Sequence, residues 1–244
     1  MSLKSLQVIF FNEEKCINFL LEKEILKDKQ SCEICNSEIT RYINYYKCKN
    51  RECNKTESVF KNTIFSNSNI KCNDILLIGY FWLYKLSYIL INMMTTFSSV
   101  TIIKFTNIFR DLAISKLTSE DHIIGGKNII CKIDESKFKK YEDFWVVGGT
   151  ERTKEKKCFF VITENREAPT LRRIIKQHSK SFKNRIQQGT GVHTNSVEGL
   201  WNGVKLNIST RNCSKQLLEK HLYEFIWRRK NRNNLFEAFI NLLK

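Results

Sequence analysis

Apolar and polar positions follow two rhythms along this chain, and the change falls near residue 128. Before it the rhythm is helical. Residues 12–26 carry apolar side chains at helical spacing behind an acidic first turn of Glu13 and Glu14, which predicts an amphipathic helix. Residues 75–94 are almost wholly apolar, broken by Lys85 and Asn92. A stretch of about 20 residues can cross a bilayer. Here Lys85 lies mid-segment, and tyrosines and tryptophan run through the centre instead of the ends. The pattern therefore predicts a helix buried on all sides, with no membrane partner. A second helix is expected from the polar stretch 95–101 through Phe105 to Leu117, and two helices joined by a short polar turn can form a helix-turn-helix.

Beyond residue 128 the pattern becomes strand-like. Residues 129–138, 144–149 and 158–163 predict three strands, the last two joined by a polar turn over 150–156. Pro169 begins a helix. Leu218, Leu222, Phe225 and Ile226 mark another amphipathic helix, and Arg228, Arg229 and Lys230 at its end are expected to face outward. Strands followed by helices read as α/β.

Charge changes the picture. The chain of 244 residues has 41 Lys+Arg against 25 Asp+Glu, a net +16, and this points to a polyanionic partner, nucleic acid first. Between residues 171 and 232 there are 14 basic and 3 acidic side chains, so 14 − 3 = +11 of the excess is concentrated there. Nine cysteines are an odd number, and the apolar stretch Val8-Ile-Phe-Phe11 is too short for a signal core, so a secreted disulfide scaffold is not expected. A reducing compartment leaves thiolates free for metal.

Four cysteines are organised. Cys32-Glu-Ile-Cys35 is followed by Cys48-Lys-Asn-Arg-Glu-Cys53, two close pairs around the β-branched and aromatic stretch 39–46. That spacing predicts a zinc ribbon in which Cys32, Cys35, Cys48 and Cys53 hold Zn²⁺. A usual knuckle has proline and glycine around its first pair; Glu33 and Asn36 stand there instead. Cys16, Cys72, Cys131, Cys158 and Cys213 are scattered and read as small core residues.

The segment Gly191-Val-His-Thr-Asn-Ser-Val-Glu-Gly-Leu-Trp-Asn-Gly-Val-Lys205 puts Glu198 two helical turns before Lys205, on one face of a helix. A carboxylate that holds Mg²⁺ beside a lysine that steadies a phosphate oxygen suits work on phosphates. The plainer alternative is a capping box from Asn195 to Glu198 with a solvated Lys205. Asp134, at the centre of the first strand, is equally a core-edge residue or a metal ligand.

Five motifs occur in order: Asp134-Glu-Ser-Lys-Phe138; Trp145-Val-Val-Gly-Gly-Thr-Glu-Arg152; Arg166-Glu-Ala-Pro-Thr-Leu171; His193-Thr-Asn-Ser-Val-Glu198 with Trp201 and Lys205; and Glu224-Phe-Ile-Trp-Arg-Arg229. Together with the cysteine ribbon ending in Asn62-Thr-Ile-Phe65, they resemble the transposases of ISXO-type insertion sequences and the related Merlin elements, over nearly the whole chain. The resemblance implies a ribonuclease-H-like core of the DDE superfamily, with carboxylates converging on two divalent metals that cut and join DNA. It implies Asp134 as the first acid, Glu198 as the last, Asn195 near the metal, Lys205 on DNA, structural Zn²⁺ and catalytic Mg²⁺. The implied partner is double-stranded DNA, reached through Arg172, Arg173, Arg228, Arg229 and Lys230, with a homo-oligomer left open. The implied setting is the nucleus of a eukaryotic host or the cytoplasm of a bacterial one.

The family has a second catalytic aspartate between the Pro-Thr-Leu helix and the His-Thr-Asn motif, yet residues 174–197 contain no Asp or Glu. Only Lys139-Lys-Tyr-Glu-Asp143 remains of a longer basic hairpin. Glu151, Glu164 and Glu167 fall in the wrong places by order. The expected layout is an N-terminal helix and ribbon over 1–66, a helical DNA-binding segment over 67–120, a truncated ribonuclease-H-like core over 121–232 and a C-terminal helix over 233–244. The functions in play are a catalytically impaired transposase-like protein, a non-catalytic zinc-ribbon DNA-binding protein, and a decayed product with no function.

Overall fold

The protein is described from a computed structural model that covers residues 3–138, 144–180, 195–208 and 214–244, without the side chains of Asn195, Ser196 and Asn207. The chain is mixed α/β with two small antiparallel sheets. It divides into two units, Met1–Phe109 with Asn234–Lys244, and Arg110–Asn233.

The first unit opens with helices α1 (Leu3–Phe11) and α2 (Glu13–Glu22). Asn12 separates them, its side chain capping α2 by accepting from the amide of Lys15 at 2.9 Å. The amphipathic helix expected over 12–26 therefore stops earlier. Glu24 takes a left-handed φ of 58°, and the amides of Ile25 and Leu26 return to the carbonyl of Leu20, which turns both side chains into the core. The ribbon follows as β1 (Ile39–Arg41), β2 (Tyr45–Cys48) and β3 (Thr56–Ser58), an antiparallel sheet in that order. The stretch 39–46 is a hairpin instead of one strand, closed by the amide of Tyr42 on the carbonyl of Tyr45 at 2.8 Å.

The apolar run 75–94 splits. α3 (Cys72–Leu83) is buried along nearly its whole length, as expected of its first half. The chain then breaks at Lys85, whose φ is 58°, and restarts as α4 (Tyr88–Thr95) with Ser87 as N-cap. Only Ile91 of α4 is buried; Ile89, Leu90, Met93 and Met94 are exposed, so burial on all sides fails for the second half. α4 and α5 (Ser99–Ser115) are bent by 116° across a short break, a geometry that helix-turn-helix pairs share. Among the described residues no single helix is long and apolar enough to cross a membrane. α9 (Leu235–Leu242) packs on α3, and the ring of Phe239 occupies the space over Gly79, where a Cβ would lie 2.1 Å from the ring.

The second unit is built on β4 (Cys131–Phe138), β5 (Phe144–Glu151) and β6 (Cys158–Thr163), antiparallel and in that order. The pleat gives two faces. Phe138, Phe144, Val146, Cys158 and Phe160 meet Val197, Leu200, Trp201 and Val204 of α7 (Asn195–Asn207) and Leu218, Leu222 and Ile226 of α8 (Lys215–Lys230). On the other face Val147 and Phe159 pack with Ile124 and with Ile174 of α6 (Ala168–His178).

α8 is anchored by charge. Glu224 accepts from Arg110 and Arg228, each at 2.7 Å. Arg228 is therefore buried at 8% exposure, against the expectation that it faces outward; Arg229 is half-buried, and only Lys230 of that trio is exposed. Burial alone would raise the Glu224 carboxyl, but Arg228 and Arg110 hold it below the ordinary range. His221, 3.8 Å from Glu224, is pushed down from 6.5 to about 4, first by burial and then by Arg110. A depressed histidine stabilises the fold fully above its unfolded value of 6.5, and that contribution is lost as pH falls toward about 4. His221→Gln should accordingly flatten the pH dependence of urea-unfolding free energy across that window; an unchanged slope would show that His221 is not buried in its neutral form.

Candidate functional site

The cysteine ligand set is positioned by backbone turns. The amides of Cys35 and Ile34 donate to the Cys32 sulfur and lower its pKa. The hydroxyl and amide of Ser37 bring Cys35 down to about 6. Cys48 and Cys53 receive the amides of Asn50 and Lys55. Each sulfur thus meets the amide two residues on. Such turns need a left-handed residue after the pair, and Asn36 at φ 56° and Asn54 at φ 43° supply it. Asparagine tolerates that region better than other side chains, which explains how Asn36 stands where glycine was expected.

The four Sγ atoms lie within 4.8 Å of one another. Cys32 and Cys53 are 3.7 Å apart, and Cys35 and Cys48 are 3.4 Å apart. A tetrahedron with metal–sulfur bonds of about 2.3 Å has edges of about 3.8 Å, so the cluster could hold a metal ion such as zinc. Cys16 and Cys72 form a separate buried pair at 3.5 Å, and Cys158 is a core residue of the sheet.

The acids expected to act on phosphates lie elsewhere. Asp134 sits at the middle of β4 opposite Gly148, on the face covered by α7. The indole of Trp201 donates to its Oδ2 at 3.2 Å. The contact needs Gly148, because a Cβ there would stand 2.7 Å from the Trp201 ring. Glu198 lies three residues before Trp201 and Lys205 four after it, so all three follow one side of α7. Glu198 and Lys205 are exposed, and the Lys205 ammonium is 5.9 Å from the centre of the Phe138 ring.

The other expected members do not gather there. Arg172 and Arg173 are exposed on α6, whose buried face packs against the opposite side of the sheet. Glu151 is buried and accepts from the amide of Gly125 at 3.0 Å and the hydroxyl of Thr153 at 2.8 Å. Glu164 pairs with Lys215 at 2.9 Å. Among the described residues no metal-sized group of three or more carboxylate, histidine or cysteine side chains includes Asp134 or Glu198. His193 and the stretch 139–143 lie outside the described residues, and Asn195 starts α7 without a described side chain.

Sequence reasoning missed a basic cavity of about 410 Å³ whose lining includes Lys154, Lys157, Arg229, Lys230 and Arg232 together with Asp121 and Glu155. Arg229 donates to the carbonyl of Lys156 at 2.5 Å, and Arg232 donates to that of Lys154, so the β5–β6 turn is held against the end of α8. Lys230 pairs with Asp121 at 2.8 Å. The signal was present as Arg152, Lys154, Lys156 and Lys157 crowding one turn. No family model, curated protein or solved structure matches this chain.

Replacing Gly148 by alanine should displace Trp201 from Asp134 and cost about 1–3 kcal/mol, the usual range for overpacking. Urea unfolding checks the cost, and a variant as stable as the parent would mean that α7 can shift without penalty.

Proposed function

We propose that this chain is a transposase-like DNA-binding protein with a structural zinc ribbon, a truncated ribonuclease-H-like core and impaired strand-transfer chemistry. The observation that carries the reading is the Trp201–Asp134 hydrogen bond. It sets the helix bearing Glu198 and Lys205 against the strand bearing Asp134, as a carboxylate-based phosphoryl-transfer site requires. The antiparallel order β4-β5-β6 followed by α6 also agrees with the opening half of such a core.

The four thiolates fit zinc, which would supply folding energy to a ribbon with little core of its own. Asp134 and Glu198 would be the residues to hold a hard cation such as Mg²⁺ near a phosphodiester. Two carboxylates hold one such ion weakly, whereas strand transfer between DNA molecules uses two ions about 4 Å apart. The basic cavity at the end of α8 favours a second reading, a DNA-binding protein without catalysis. Each phosphate neutralised there releases counterions and adds to affinity.

Protein purified without chelator should contain one zinc per chain, and chelation should unfold residues 31–65 before the rest. Elemental analysis without zinc would sink the ribbon assignment. The full chain should bind duplex DNA with a steep salt dependence. The Lys154→Ala, Lys157→Ala, Lys230→Ala triple variant should flatten that slope by roughly one unit for each phosphate that is no longer neutralised. With Mg²⁺ or Mn²⁺ and DNA carrying terminal repeats, no cleavage is expected. Cleavage abolished by Asp134→Ala and by Glu198→Ala would overturn the impaired reading. Duplex binding that the triple variant leaves unchanged would remove the cavity from it.

A further inference from the structure

The outer face of the ribbon carries a feature that metal binding does not use. Tyr42 and Tyr45 face each other across the hairpin turn, rings parallel within 9° and centroids 4.6 Å apart. Both are exposed, at 45% and 36%, as is Ile43 at the tip at 55%. The inward tyrosine of this sheet is Tyr46, at 3% exposure, which donates to the carbonyl of Lys27 at 3.0 Å. Strand alternation places Thr40, Tyr42, Tyr45 and Lys47 on the opposite side, with Thr56 across from Lys47 and Ser58 across from Tyr45. The strand neighbours of the two rings on this face, Thr40, Thr56 and Ser58, are small, and both rings are exposed.

The charge around them is one-sided. The ribbon acids Glu33 and Glu57 are taken up by Lys29 and Lys61, and Glu38 by Lys49. Lys47, on the tyrosine face, has no ion-pair partner among the described residues, whereas Lys55 lies on the Tyr46 side of the sheet. A cross-strand aromatic pair stabilises a hairpin by itself, but that role asks for neither exposed rings nor an unpaired cation beside them.

We propose that Tyr42 and Tyr45 form a stacking platform for unpaired bases of a DNA strand, whose phosphates run past Lys47. Aromatic faces beside a basic track are the means by which proteins take single strands with little sequence preference. The choice of DNA rests on the transposase-like reading; the platform itself rests on the ribbon surface. It provides a partner for strands opened at a DNA end, separate from the duplex contact of the basic cavity.

The test uses the full, zinc-loaded chain and fluorescence anisotropy with four probes: an oligo-dT of about 20 nucleotides, long enough to exceed one single-strand site, the same strand with abasic positions, oligo-rU and a duplex of equal length. Oligo-dT should bind at least about tenfold more tightly than the abasic strand, given about 1–3 kcal/mol for each stacked base. Tyr42→Ser with Tyr45→Ser should remove that advantage while zinc content and duplex binding stay as in the parent. Tyr42→Phe with Tyr45→Phe should keep it, since stacking needs the ring and not the hydroxyl. Equal affinity for the intact and abasic strands overturns the platform without use of any variant. Binding of oligo-rU in preference to oligo-dT overturns the choice of DNA. Absence of duplex binding alongside tyrosine-dependent oligo-dT binding refutes the duplex reading and leaves the platform standing.

Discussion

The contact of Trp201 with Gly148 governs the second unit. An indole can lie across a sheet only where a residue has no side chain, and Gly148 supplies that gap at the centre of β5. Once there, the ring packs against Phe160 at 5.7 Å and Phe138 at 6.1 Å, and its N–H reaches Asp134 at 3.2 Å. A buried indole N–H needs an acceptor. The carboxylate proposed to hold a cation therefore also satisfies the packing of α7. Asp134 cannot be read as catalytic or structural alone, because the hydrogen bond that orients it leaves its other oxygen free of that bond.

The ribbon meets a different constraint. A segment as short as 31–65 cannot bury much surface, and its apolar interior is little more than Tyr46, Val59, Phe65 and the cysteines themselves. Order comes instead from amides aimed at the sulfurs and from Asn36 and Asn54 in left-handed turns. A metal ion would complete what the turns begin, since four converging thiolates would repel without one.

Several elements were legible because their cause is local. The three strands of the second unit, the Pro169 helix start and the cysteine ligand set follow from side-chain period, backbone stiffness and ligand spacing. Other features depend on distant partners and were not. The apolar period across 75–94 gave no sign that Lys85 would turn the chain, since that break is a backbone conformation. Arg228 looked like one of three exposed cations. Its acid, Glu224, lies only one helical turn back, but the second arginine that draws Glu224 into the interior, Arg110, is 114 positions from it. The basic cavity combines a turn and a helix end that are 73 positions apart at Lys156 and Arg229, so neither half looked like a site alone.

The basic cavity and the Asp134–Trp201 contact rest on different packing. The Arg110–Glu224–Arg228 network fixes α8 from within, and removing Glu224 would leave two buried guanidinium groups uncompensated. With α8 fixed, Arg229 and Arg232 direct their donors to the carbonyls of the β5–β6 turn, which brings Lys154 and Lys157 to face Lys230. None of those contacts involves Asp134, Glu198 or α7. The basic cavity is therefore held by packing that does not depend on the number of acids near Asp134. Under the proposed reading, a phosphodiester gripped at the end of α8 would be held by contacts independent of the carboxylates, so a loss of catalysis would leave that binding in place.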